Sequence, residues 1–288
     1  MTRASAVDRL VIARTRAELT AALAGAERVA LVPTMGALHA GHAALVATAG
    51  DAVPAGDAVV VSVFVNPLQF APGEDLDRYP RSFDADLAVC AEHGADIVFA
   101  PSVDEVYPGG EPSVTVHPGP LGSVLEGATR PGHYRGVLTV VAKLFGLVRP
   151  DLAVFGQKDY QQLVLVRRMA ADLCMGVEVV GAETVREATG LALSSRNAYL
   201  DVADRSAAAA LARALRAGAA AGGRGADAVI AAAQAVLDAE PALRVDYLAL
   251  TSPDLEDPPT SGEGRLLVAA VVGSTRLIDN TAVVLGAG

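Results

Sequence analysis

The apolar positions of this chain fall into two rhythms. Through the first two-thirds, short continuous apolar runs recur at Arg28 to Val32, Ala58 to Val65, Ala95 to Ala100, Asp151 to Phe155 and Val177 to Val180. Runs without polar alternation read as strands buried on both faces, as in a parallel sheet covered by helices. Helical stretches lie between them: Thr15 to Ala24, Ala43 to Ala47, Arg81 to His93, Val137 to Leu147 and Gln161 to Asp172. This alternation predicts an α/β fold with a doubly wound parallel sheet. A charged loop, Asp75 to Tyr79, and a loop rich in Pro and Gly, Tyr107 to Gly122, interrupt it. Later the rhythm changes. Ser206 to Ala221 and Ala226 to Glu240 are alanine-rich helices, and Val245 to Leu250 and Leu266 to Val272 read as strands around a Pro-rich loop, Pro253 to Pro259. We place a boundary near Val185, with residues 1–184 as one domain and 185–288 as a smaller α+β domain.

Three strand ends carry polar chemistry. The first follows Arg28 to Val32 and reads Pro33-Thr34-Met35-Gly36-Ala37-Leu38-His39-Ala40-Gly41-His42. A Gly-containing turn from strand to helix presents backbone N–H groups at the positive end of a helix dipole, a ready anion site. His39 and His42, three apart, share one face as the helix begins and suit charge growing on a polyphosphate. The same pair also fits half a metal site or plain loop residues. The second is Gly156-Gln157-Lys158-Asp159, where a lysine follows a strand and opens a helix that carries Gln162. The third is Leu193-Ser194-Ser195-Arg196-Asn197, two hydroxyls and a fixed cation able to bind phosphate oxygens, or alone a cap or turn. Asn66 and Gln69, after the most apolar strand, carry amides that suit a small polar substrate at the carboxyl edge of a parallel sheet; a plain Asn-Pro turn is the other reading. Arg130, His133 and Arg135 make a basic loop. Asp84 and Asp86 fit either a magnesium site or a helix dipole.

Composition narrows the field. The net charge of −10 disfavours a nucleic-acid groove, which wants basic surface. Cys90 and Cys174 stand far apart and read as thiols in a reducing compartment. The first nine residues hold no apolar core of signal-peptide length, and no stretch suits a bilayer, so a cytoplasmic protein is expected. Of the 23 Lys and Arg residues only Lys143 and Lys158 are lysine, which singles both out either as places where a compact ammonium fits better than a guanidinium or as two lysines kept by accident. There is no Gly-x-x-x-x-Gly-Lys-Ser/Thr loop and no Gly-x-Gly-x-x-Gly, so a nucleotide would be held by other means.

The His-x-Gly-His turn and the Ser-Ser-Arg loop resemble the two signatures of the class I synthetase and nucleotidylyltransferase superfamily. More narrowly, Pro33 to His42, Phe64 to Phe70, Arg130 to His133, Phe155 to Asp159 and Leu193 to Asn197 resemble, in matching order, the pantothenate synthetases. That resemblance implies a Rossmann-like domain binding ATP and (R)-pantoate; an acyl adenylate must be kept from water, which makes the small C-terminal domain the candidate lid. It implies that ATP and pantoate give pantoyl adenylate and pyrophosphate, and that β-alanine then releases AMP and pantothenate. By the same resemblance Met35, Gly36, Ala37, Leu38, His39, Ala40, Gly41 and His42 line the ATP site with Gly156, Gln157, Lys158 and Asp159. Val185, Leu193, Ser194, Ser195 and Arg196 complete it. His42 is the implied proton donor; His39, Lys158 and Arg196 join it in catalysis. Gln69 would bind pantoate and β-alanine, Gln162 pantoate, with Asn66 beside them. Magnesium accompanies ATP, and Asp86 is a candidate ligand, although this chain has Asp84-Ala85-Asp86 where relatives often have consecutive acids. A homodimer is implied. The rival readings are a nucleotidylyltransferase for a phosphate-bearing acceptor and a regulatory protein that binds ATP without turnover.

Overall fold

The computed structural model describes residues 10–54, 56–71, 76 and 82–286. The charged loop expected over Asp75 to Tyr79 lies, except for Leu76, outside these, as do Arg81 and the first nine residues. The chain divides into two compact units, Met1–Gln157 with Leu165–Glu183, and Lys158–Val164 with Thr184–Gly288.

The first unit is a six-stranded sheet. Its strands are β1 (Val11–Ala13), β2 (Val29–Thr34), β3 (Ala58–Val63), β4 (Ile97–Phe99), β5 (Leu152–Gly156) and β6 (Glu178–Ala182). They lie in the order β1-β4-β3-β2-β5-β6, all parallel. The helices between them are α1 (Arg16–Ala22), α2 (Ala40–Ala52), α3 (Phe83–Glu92), α4 (Val103–Val106), α5 (Glu126–Thr129), α6 (His133–Val148) and α7 (Tyr160–Asp172), of which only residues from Leu165 onward belong to this unit. One core packs Val46 and Ala49 of α2, with Val53 just after it, on Ala30, Val32, Val59, Val61, Leu152 and Val154 of the sheet. Each such aliphatic side chain removed from water contributes about 2 kcal/mol, which is why these strands are apolar throughout.

Two registers position the chemistry. Thr34 pairs with Val63 and Ser62 with Phe99, so β2, β3 and β4 end side by side. The order of connection reverses between β2 and β5. Open α/β sheets bind ligands in the crevice that such a reversal leaves beyond the strand ends, and the His-bearing turn leaves β2 on that edge.

Several boundaries differ from the sequence reading. Helix α2 begins at Ala40, not Ala43, which makes His39 its N-cap. Helix α6 begins at His133 rather than Val137, so His133 and Arg135 are helical and not loop residues. Strand β3 stops at Val63, two residues short, because Asn66 caps a short 3₁₀ turn over Pro67–Gln69. The three-residue β1 was not expected: among the described residues it pairs only with β4, and it is too short to show a pattern.

The second unit holds an antiparallel sheet of β7 (Leu243–Thr251), β8 (Gly262–Val272) and β9 (Thr275–Leu285), with helices α8 (Val202–Ala220) and α9 (Ala226–Asp238). Ala207, Ala208, Ala214 and Ala233 keep the helices close to Leu266, Val268, Ala270 and Val283. No helix among the described residues is long and apolar enough to cross a membrane.

Candidate active site

Strand β2 runs into a turn held from beneath. Thr34 Oγ1 donates to the carbonyl of Ser62 at 2.7 Å and accepts the Gly36 N–H at 3.2 Å. Gly36 has φ +82 and Ala37 φ +53, two successive left-handed residues. Asp86 of α3, 2% exposed, holds this turn: its carboxylate accepts Ala37 N at 3.1 Å and Leu38 N at 2.8 Å. A Cβ on Gly36 would stand 2.9 Å from Asp86 Oδ2, so both the positive φ and the close carboxylate require glycine. The sequence reading offered Asp86 as a metal ligand and the turn N–H groups as an anion site. In the structure each satisfies the other, and Ser82 Oγ also donates to Asp86 at 3.3 Å.

The two histidines close the start of α2. His39 Nδ1 accepts the Gly41 N–H at 3.1 Å, and His42 Nδ1 accepts the His39 N–H at 3.3 Å. The rings tilt against each other with centroids 4.2 Å apart. A backbone N–H only donates, so each Nδ1 presents a lone pair and each neutral ring carries its proton on Nε2. Nε2 is thus the donor atom of each imidazole at this helix end.

A second cluster gathers behind Gln69. Asn66, 1% exposed, has every position of its amide filled by the protein. Its Oδ1 accepts Tyr107 OH at 2.8 Å and Leu68 N at 3.3 Å, and its Nδ2 donates to Gly136 O and Gln69 Oε1, both at 3.1 Å. Burial pushes the Tyr107 hydroxyl above its ordinary pKa, keeping it a donor. Gln69 Nε2 donates to Met35 Sδ at 2.9 Å, which joins this cluster to the His turn. Gly136 lets α6 pass: a Cβ there would lie 2.1 Å from Leu68 O. Lys143, one of the two lysines, sits over the Tyr107 ring at 5.5 Å, not among the candidate ligands. At the end of β5, Gln157 Nε2 donates to Gly181 O and Glu183 Oε1, each at 3.1 Å.

The second unit holds the other candidates. Lys158 Nζ lies 3.5 Å from Asp159 Oδ1. Its backbone carbonyl accepts Asn280 Nδ2 at 2.8 Å. Asn280 Oδ1 in turn accepts Arg265 Nε at 2.8 Å and also Arg265 Nη2, and the Arg265 guanidinium stacks on Tyr160 at 4.0 Å. Val185 and Leu193 pair, with Leu193 N donating to Val185 O at 2.9 Å. Ser194 caps the turn after it, its Oγ accepting Arg196 N at 3.3 Å. Asn197 donates to Glu187 Oε1 and Ala192 O, both at 3.1 Å. Gln162 is half-buried on the first turn of α7.

Tyr107, Arg265, Asp279 and Asn280 were not singled out in the sequence. Each acts through a partner tens of residues away or on another strand, and no local spacing marks it. Among the described residues no group of three or more His, Cys, Asp or Glu could hold a metal ion.

Two imidazole donors at a strand-to-helix turn on the switch-point edge suit nucleotide phosphates, and comparison with known proteins decides the family. Residues 11–282 match the family described as pantoate-beta-alanine ligase. The chain belongs to that family. It is 62% identical over 287 residues to the pantothenate synthetase of Nocardioides sp. (strain ATCC BAA-499 / JS614), covering 96% of this chain and 86% of that one. A crystal structure of pantothenate synthetase from Thermus thermophilus superposes with a TM-score of 0.88 at 50% identity, over 94% of this chain and 98% of that one. Pantoate-beta-alanine ligase from Francisella tularensis, in a crystal structure complexed with β-γ ATP and β-alanine, matches at TM-score 0.78 and 30% identity, over 94% and 97%. As a member of the pantoate–β-alanine ligase family, the protein condenses pantoate with β-alanine at the expense of ATP.

Proposed function

We propose that the reaction runs through pantoyl adenylate, with His39, His42, Lys158 and Arg196 as the groups that neutralise the phosphates. The observation that carries this reading is the pair of Nδ1-anchored histidines. An ionised carboxylate approaching the α-phosphate is an anion meeting an anion, so donors and cations matter more than a base. His39 and His42 offer Nε2–H groups to phosphate oxygens, and His42 is the proton donor that the family resemblance implies. Lys158 and Arg196 add fixed positive charge, and Met35 to His42, Gly156 to Asp159, Val185 and Leu193 to Arg196 line the nucleotide. Pyrophosphate leaves as the carboxylate oxygen bonds to the α-phosphorus. The neutral amine of β-alanine then attacks the acyl carbon and AMP departs, a step favoured by holding both partners in place.

Gln69 and Gln162 are the pantoate ligands of this reading, with Gln69 also serving β-alanine. Asn66, filled by its own neighbours, acts by fixing Gln69. Magnesium does not fit a protein site built on Asp86, whose oxygens hold the turn; the ion enters with ATP on the phosphate oxygens. The homodimer rests on the family resemblance, and the cytoplasmic location on the two widely separated cysteines. The test is AMP release from magnesium ATP with pantoate, with and without β-alanine. Sustained release that needs both and matches pantothenate formed supports the reading. AMP formation with a phosphate-bearing acceptor instead, or ATP binding without AMP, overturns it.

A further inference from the structure

We infer that His133, oriented by Arg130, is a positioning residue that sets Gln69 for pantoate. The inference rests on the reading of Gln69 as a pantoate ligand. His133 Nδ1 lies 2.8 Å from the Gln69 backbone carbonyl. A carbonyl only accepts, so Nδ1 carries the proton. His133 Nε2 lies 3.0 Å from Arg130 Nη1. A guanidinium only donates, so Nε2 presents its lone pair. Arg130 Nη2 reaches the same Gln69 carbonyl at 3.4 Å. The ring is therefore locked as the neutral Nδ1–H tautomer, opposite to His39 and His42, with both nitrogens engaged inside the protein. It serves no phosphate; it holds a backbone.

The place matters because the rest of Gln69 is already constrained. Its Oε1 accepts from Asn66 and its Nε2 donates to Met35 Sδ. The carbonyl is the remaining handle on the 3₁₀ turn, and His133, the first residue of α6, grips it from the opposite element. Releasing that grip lets the turn shift, and with it the amide that must meet pantoate, while the His39–His42 pair keeps its own contacts. The Arg130-Pro131-Gly132-His133 segment thereby gains a role in substrate geometry.

Steady-state kinetics on the full chain separates this from a general structural effect. His133→Ala raises KM for pantoate by roughly three- to tenfold, the range one hydrogen bond carries, and leaves KM for ATP unchanged. His133→Asn, whose amide N–H can stand where Nδ1–H stood, recovers most of the loss. Arg130→Met gives a smaller shift in the same direction. Should His133→Ala not fold, the Asn and Met variants carry the comparison. Gln69→Ala is measured alongside. If it shifts KM for pantoate while the His133 variants do not, or if His133→Asn gives no recovery, or if KM for ATP rises in parallel, the inference fails and the role of Gln69 stands. If Gln69→Ala leaves KM for pantoate unchanged, the reading of Gln69 fails and takes the inference with it.

Discussion

Asn280 donates its side-chain amide to the backbone carbonyl of Lys158 at 2.8 Å, across 122 positions of sequence. Arg265, 8% exposed, closes on the other side of that amide and stacks on Tyr160. The backbone of the candidate phosphate lysine is thus set by the C-terminal sheet. Asn280→Ala removes the donor from Lys158 and the acceptor from Arg265 together. Breaking a buried, charge-assisted contact costs about 3 kcal/mol of stability, and pantoate-dependent exchange of pyrophosphate into ATP should fall roughly tenfold as Lys158 loses its register. Full exchange activity in a folded Asn280→Ala protein would separate this network from catalysis.

Asp86 supports the turn that leads to the histidines through the N–H groups of Ala37 and Leu38. Asp86→Asn keeps the shape but replaces one acceptor oxygen by an N–H donor facing Ala37 or Leu38. Stability should fall by about 1–3 kcal/mol and ATP should bind more weakly. Excess magnesium should not restore activity, because the carboxylate is engaged with backbone N–H groups. Recovery of ATP turnover on magnesium titration would instead return Asp86 to the role of a metal ligand.

The tautomers of His39 and His42 make a finer test of the site. Nitrogen NMR of the imidazoles should show both protonated at Nε2 and His133 at Nδ1. In activity, His42→Ala should lose a factor of roughly 100 or more, the scale for losing a transition-state donor. His42→Gln, whose amide reaches toward the Nε2 position, should keep more than His42→Asn. An Asn variant that outperforms the Gln variant would place the working proton on the other nitrogen.

The two cysteines report on the sheet. Cys90 has no exposed surface, and burial, followed by the Asp86 carboxylate, pushes its thiol from 9.0 up to about 12. Cys174 is exposed. A thiol reagent at neutral pH should modify one site in the native protein and two after unfolding. Unfolded Cys90 ionises near 9 while the folded thiol keeps its proton, so its contribution to stability is whole below that pH and is lost as pH climbs toward about 12. Denaturation midpoints should therefore drop more steeply with alkaline pH in the native sequence than in Cys90→Ala.

What could be read in advance was local. The strand of β2, the His turn and α2 follow one another within a few residues, and each has its own pattern. Strand β9 was missed because Asp279 and Asn280 break its apolar run, yet both are 3% exposed. They are satisfied by Arg186 and Arg265, partners that no window of sequence brings together. The scarcity of lysine pointed at Lys143 and Lys158 together, but Lys143 stands over Tyr107 behind Asn66. Composition singled out the residues; only the fold tells ligand from buttress. The engagement of Asp86 with Ala37 and Leu38 was equally invisible, since a carboxylate at a helix start looks the same whether it meets a metal, a dipole or a neighbouring turn.

The parallel sheet has a consequence for handling the protein. Every connection that enters a strand opens on the edge opposite the His turn, and Cys174 lies in one of these, just ahead of β6. The native chain therefore carries an exposed thiol on the chemically quiet edge of the sheet. Coupled to a maleimide-coated surface through that sulfur, the molecules would all be immobilised in one orientation, with the His-bearing edge turned away from the support.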